Sequence, residues 1–173
     1  ELQKAAVDDH LAIIALTDHN TFSGWDELDD NIIPAIRGIE WTTYFGHMLV
    51  LGANDFVDWR DAQPDNIDEK IKQAKAVSGI VGIAHPYQLG SPLCTGGRWE
   101  FNVRDWRNVD YIEVWHQNLY SAKRENERAL ELWTSLLDKG YKIAATYGTD
   151  WHRDEKSGHY GCNYVTDDDI RSN

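Results

Sequence analysis

Among the residues of this chain whose side chains can bind first-row transition metals, six form a candidate set: His19, Glu40, His47, His85, Asp150 and His152. Neutral imidazole combined with carboxylate suits Zn, Mn or Fe, and six ligands exceed what one tetrahedral ion with an open position requires. A site for two or more divalent ions is therefore expected. A lone histidine is more often a hydrogen-bonded core or surface residue. Here the six recur at one kind of place in the sequence pattern, next to a short apolar run.

The runs that must position them are regular. Residues 12–16 lead into Thr17-Asp18-His19-Asn20, and residues 32–36, broken by Pro34, lead into Gly38-Ile39-Glu40. Residues 48–51 follow Gly46-His47, and residues 80–84 end at His85-Pro86. Residues 111–115 carry Glu113 and end at His116, and residues 141–147 end at Gly148-Thr149-Asp150-Trp151-His152. Between runs the pattern turns helical at residues 66–77 and 121–139. In the second of these, Leu130, Trp133, Leu136 and Leu137 share a face and Gly140 is the stop. The opening residues, with Leu2, Ala5 and Ala6 at helical spacing, read as the middle of a helix.

Alternating strand and helix predicts a parallel sheet with helices outside it, and barrels of this kind place reactive groups at the C-terminal ends of their strands. An open doubly wound sheet gives the same alternation, but Gly-x-Gly-x-x-Gly follows none of the runs, so a β/α barrel is favoured. With no repeat, linker or low-complexity tract, residues 1–173 read as a single domain.

Composition narrows the function classes. Lys and Arg number 17 against 29 Asp and Glu, a formal charge of −12, which argues against a nucleic-acid or anionic-membrane partner. No apolar run approaches the roughly 18 residues of a membrane span, and no basic patch with an apolar stretch opens the chain, so a soluble domain is expected. Cys94 and Cys162 are too few for a disulfide scaffold. The only methionine is Met48, so the start is expected to be processed or truncated.

Taken together, Thr17-Asp18-His19-Asn20, Gly38-Ile39-Glu40, Ala84-His85-Pro86 and Gly148-Thr149-Asp150-Trp151-His152 resemble successive motifs of the polymerase and histidinol phosphatase (PHP) superfamily. Gly38 to His47, Val57-Asp58-Trp59-Arg60, Pro92 to Glu100 and Ile112-Glu113-Val114-Trp115 look most like its carbaryl-hydrolase-like branch. The resemblance runs from about Glu1 to Val165. It implies a distorted seven-stranded β/α barrel with two or three metal ions that hydrolyses a phosphoester or, in some branches, a carbamate or carboxylic ester. It also implies that His19, Glu40, His47, His85, Asp150 and His152 are metal ligands, with Glu40 bridging two ions and Asp18 behind them. The superfamily's His-x-His pair on the first strand has no counterpart here, since the chain opens in the helix that should follow that strand.

Ions so held would lower the pKa of a shared water and present hydroxide to phosphorus or a carbonyl carbon of a small-molecule ester. No protein nucleophile is then needed, and Gly-x-Ser-x-Gly and His-Glu-x-x-His are absent. Glu40 and Asp150 are expected to act catalytically through the metal. His116, with Glu113, is placed beside the substrate pocket, and Arg153, like Arg98, is a candidate for holding phosphate or carboxylate. Trp41, Trp99, Trp106, Trp115 and Trp151 suggest aromatic pocket walls, though strand-to-helix packing explains them equally well. His10 and His159 read as structural or surface residues, and Asp167-Asp168-Asp169 as a solvated turn. The competing reading is a non-catalytic module of the same fold serving a larger protein.

Overall fold

The computed structural model describes residues 1–89, 98–117, 123–152 and 161–164. Six strands, β1 (Ile14–Leu16), β2 (Ala35–Thr43), β3 (Gly46–Leu51), β4 (Ile80–Ile83), β5 (Tyr111–His116) and β6 (Ala144–Gly148), form one sheet in sequence order. Three helices accompany them, α1 (Leu2–Asp8), α2 (Ile67–Ala76) and α3 (Lys123–Asp138).

The sheet is curled. In a flat six-stranded sheet the outer strands would stand about 24 Å apart, at roughly 4.8 Å per neighbour. Yet His19, just past β1, and His152, just past β6, bring their Nε2 atoms to 3.0 Å. The chain therefore forms a mixed α/β half-barrel of six described strands, where the family resemblance implied a seven-stranded barrel.

The pairing departs from the all-parallel expectation. β1–β2, β4–β5 and β5–β6 are parallel, but β2–β3 and β3–β4 are antiparallel. Pro34 cannot donate to a ladder, so the expected strand at 32–36 instead starts at Ala35 and runs on through Glu40 to Thr43. It then reverses at Tyr44-Phe45, where Thr43 Oγ1 donates to the Gly46 carbonyl at 2.8 Å and accepts from Phe45 N–H at 3.1 Å. Gly46 has φ +131, and a Cβ there would lie 3.0 Å from Trp99 Cα, so glycine alone fits this corner. The last strand is also shorter than expected, starting at Ala144 and not at Tyr141.

Alternation along each strand separates two faces. Ile39 and Trp41 of β2, Met48 and Val50 of β3, Val81 and Ile83 of β4, and Ile112 and Val114 of β5 face outward into the main core. There they meet Ile67, Ile71 and Ala74 of α2 and Leu136 of α3. α2 is an amphipathic element whose Ile67, Ile71 and Ala74 recur at helical spacing, with Asp68 and Glu69 in its first turn and Lys75 in its last, each favourable to the helix dipole. α3 buries Asn126, Ala129 and Leu136, leaves Leu130 and Leu137 partly in solvent, and gives way to Gly140 at φ +86. The expected start of this helix at 121 lies outside the described residues.

Trp41 is buried within the core, and Trp99 and Trp106 pack against it, so strand-to-helix packing and not a pocket wall accounts for them. The inward face carries Gly38, Glu40 and Thr42, then His47, then Tyr111 and Glu113, over a small floor of Leu49, Ala84 and Tyr111.

Candidate metal centre

Glu40 organises the inward face. It lies inside β2, not at its end, and its side chain shares a face with Thr42, whose cross-strand partner is His47. That diagonal brings His47 Nδ1 to 2.8 Å from Glu40 Oε1. His85, just past β4, places Nε2 at 3.2 Å from the same oxygen. His19, just past β1, sets Nδ1 3.0 Å from Glu40 Oε2 and beside Thr42 Oγ1. The donor atoms of Glu40, His47 and His85 all lie within 4.8 Å of one another, and all three residues are buried.

The cluster continues on both sides. His19 meets His152 at the rim, and His152 lies with Nδ1 2.8 Å from the Asp150 carbonyl and 3.4 Å from Asp150 Oδ1. Deeper in, the His85 and His116 rings are 4.7 Å apart, and His116 Nε2 is 3.8 Å from Asp150 Oδ2. The six expected ligands thus stand along one arc, with His116 at its inner end. The structure brings His116 there through a register slip: β5 and β6 pair Glu113 with Thr146 but Trp115 with Tyr147. The extra residue reverses the alternation, so that His116 turns inward and is 2% exposed, while Trp115 turns outward. Arg153, His159 and Asp167 to Asp169 lie outside the described residues. Arg98 is exposed and its backbone bridges to Tyr87, and Asp18 gives its carbonyl to Glu40 N–H at 3.1 Å.

Strand ends around the site share a backbone device. Asn20, His85, Gln117 and Asp150, which follow β1, β4, β5 and β6, all have positive φ, between 26° and 59°. Non-glycine residues take this conformation at a cost, and here neighbours hold it. Asn20 locks onto Thr42 with its side-chain oxygen on the Thr42 N–H at 2.9 Å and its amide on the Thr42 carbonyl at 3.0 Å. His85 N–H donates to Glu113 Oε2 at 3.1 Å, and Gln117 N–H to the Gly148 carbonyl at 3.0 Å.

Burial is the largest influence on Glu40 and opposes its ionisation, but contacts with His19, His47 and His85 outweigh it and hold the carboxyl well below the usual range. The Glu40 contact raises His19. His85 is also raised, the attraction of Glu40 and Glu113 overcoming its own burial. Glu113, enclosed within the half-barrel, is pushed up to about 7, first by burial and further by Glu40 and Asp150. His116 is pushed down to about 3 by burial and by the neighbouring His85.

These groups fit divalent metal. Glu40 is an anion under a shell of imidazoles, and three buried ring nitrogens, His85 Nδ1 and both nitrogens of His116, have no hydrogen-bond partner among the described residues. Leaving such atoms unpaired costs free energy that coordination would recover. Asn126 was not read from the sequence, and Glu113 was placed beside the pocket and not as a support for the His85 backbone. Asn126 of α3 accepts from His116 N–H at 3.1 Å and donates to its carbonyl at 3.4 Å.

Two solved structures share this fold. One, from Bifidobacterium adolescentis, is described as a candidate metal-dependent phosphoesterase; it matches with a TM-score of 0.57 and 17% identity over 98% of this chain and 87% of its own. The other is a two-domain protein from Bacteroides vulgatus containing a predicted PHP-like metal-dependent phosphoesterase, with a TM-score of 0.55 and 19% identity over 83% of this chain. This chain spans 46% of that protein. At these identities the likeness is one of fold. No family model matches the chain, and no curated protein matches it either. Among the described residues no helix is long and apolar enough to cross a membrane.

Proposed function

We propose that this chain is a metal-dependent hydrolase of esters, phosphoesters first among them. One observation carries the reading: a buried carboxylate, Glu40, is in contact with three imidazoles on an arc that continues to Asp150, His116 and His152. The two solved structures, described as metal-dependent phosphoesterases of candidate or predicted standing, support the phosphoester over the carbamate or carboxylic ester. The carbaryl-hydrolase-like motifs rest on the sequence alone.

In this proposal His19, Glu40, His47, His85, Asp150 and His152 hold two or three divalent ions, Zn, Mn or Fe, with Glu40 shared between ions. His116 joins them on the ground of its unpaired nitrogens. When bound, the ions supply Lewis acidity and a water of lowered pKa. The chain's own residues fix the donor atoms. Glu113 pins the backbone of His85, Asn126 pins that of His116, and Asn20 pins the strand that carries Glu40. The acidic overall charge does not forbid an anionic substrate, because divalent ions reverse the local sign.

The test is elemental analysis of the full-length natural protein, purified without chelator or added metal, alongside turnover of phenyl phosphate, a bis-aryl phosphodiester and phenyl acetate. At least about one equivalent of Zn, Mn and Fe together, with hydrolysis lost on chelation and restored by one of these ions, is expected. Metal-free protein that neither binds these ions nor hydrolyses any probe would overturn the proposal in favour of a non-catalytic module.

A further inference from the structure

Beside the imidazole cluster is a cavity of about 150 Å³, running from His85, Glu113 and His116 outward between the loop after β4 and the first turns of α3. Its sides are unlike its base. Pro86, Tyr87, Leu89 and Ala129 line it with largely apolar surface, and Glu125 brings in a carboxylate from the first turn of α3. No Lys or Arg lines it among the described residues.

Three details distinguish this cavity from a packing defect. The Arg128 guanidinium lies 4.2 Å above the Tyr87 ring, which braces that ring as a wall. Leu89, a large apolar side chain at the cavity, is 72% exposed. Finally, of the polar groups nearby, Asn126 is spent on the His116 backbone and Lys123 pairs with Glu127, while the side chains of Gln88, Gln117 and Glu125 have no partner among the described residues, Glu125 being the charged one of the three. A first-turn acid favours the helix dipole wherever it points, so dipole stabilisation alone predicts no discrimination between ligands.

We infer that this cavity receives the organic group of the ester, and that the group it suits is short, partly apolar and terminated by an ammonium or other strong hydrogen-bond donor facing Glu125. The inference rests on the hydrolase proposal only for the position of the reacting centre. Charge decides the preference. In a partly enclosed cavity a carboxylate attracts an ammonium and repels a second carboxylate more strongly than it does in water. Aromatic and aliphatic walls meanwhile reward the apolar portion of the group.

The experiment separates binding from turnover. Binding of 4-(aminomethyl)phenol, phenol and 4-hydroxybenzoate to chelator-treated full-length protein is measured by NMR titration, for wild type and for Glu125→Gln. The matching aryl phosphates are then assayed with metal restored. The ammonium-bearing phenol is expected to bind at least about tenfold more tightly than the carboxylate-bearing one. That ratio should fall to about twofold or less in Glu125→Gln, and the KM order of the phosphates should follow while kcat stays level. An unchanged ratio in Glu125→Gln, or no binding by any of the three phenols, overturns the assignment even if hydrolysis is robust. Conversely, a Glu125-dependent preference in a protein that neither binds Zn, Mn or Fe nor hydrolyses any ester probe leaves the ligand preference of the cavity standing and removes the hydrolase proposal.

Discussion

The Glu113 side chain on β5 reaches diagonally to Gly148 on β6, so closely that a Cβ on Gly148 would overlap Glu113 Oε1. The glycine makes room for a buried carboxyl, and that carboxyl in turn holds the His85 backbone in its left-handed conformation. Gly148→Ala should therefore act at a distance, displacing Glu113 and through it His85. Overpacking of this kind costs about 1–3 kcal/mol. Denaturant unfolding should report that loss, and in a double-mutant cycle Glu113→Ala should relieve most of it. Additive losses in the cycle would show that the two residues are not coupled.

Enclosure gives Glu113 a pH signature. Its folded-state value is raised from the usual 4.5 to about 7, so the folded protein keeps a proton that the unfolded chain has already released. The sign follows: this group's contribution is intact below about 4.5 and is lost as pH rises from there to about 7. Glu113→Gln retains an oxygen to accept the His85 N–H and does not titrate. In chelator-treated protein the variant should gain on wild type as pH climbs from 4.5 to 8, by an amount on the order of 3 kcal/mol. Parallel stability curves for the two proteins would refute this.

How much of this could be read from the chain follows from the range of each interaction. Apolar runs locate strands, and the helix over residues 67–76 was legible because Ile67, Ile71 and Ala74 recur at its period. The candidate ligands were legible as residue types beside those runs, and the structure does gather them on one face. Two things were not. Reversal of the chain at Tyr44-Phe45 depends on Gly46 meeting Trp99, more than fifty residues away, so β2 and β3 looked like successive parallel strands. The inward turn of His116 depends on a register slip against β6, which no local pattern encodes. Glu113 stood in a recognisable segment and Asn126 in none, but both act through backbone atoms of distant residues, a role that leaves no local pattern.

Asn126 offers a direct check on the His116 placement. Its amide satisfies both the N–H and the carbonyl of His116, each buried. Asn126→Ala leaves both unpaired and should lower stability by about 1–3 kcal/mol. Because the same bonds aim the ring, the variant should also hold less metal than wild type at equal folded fraction. Asn126→Asp restores the acceptor for the N–H alone, so it should recover part of the stability. If metal content in Asn126→Ala equals wild type, His116 is not among the ligands.

Glu40→Gln tests the centre itself. The amide keeps the size and one acceptor oxygen of the carboxylate, so the outward-facing core of Ile39 and Trp41 on the same strand should be undisturbed. What it removes is the negative charge under His19, His47 and His85, leaving those imidazoles around a neutral group that cannot draw together two dications. Metal content should drop first, and turnover of any ester probe should fall by more than about a hundredfold, a loss at least as large as that from disturbing groups behind a metal. Circular dichroism, elemental analysis and turnover belong on the same preparation, with His10→Ala, an exposed histidine outside the arc, as the control expected to match wild type. A folded Glu40→Gln protein that keeps its metal and its turnover would show that the carboxylate stabilises the imidazoles for structural reasons only, and the hydrolase proposal would lose the observation that carries it.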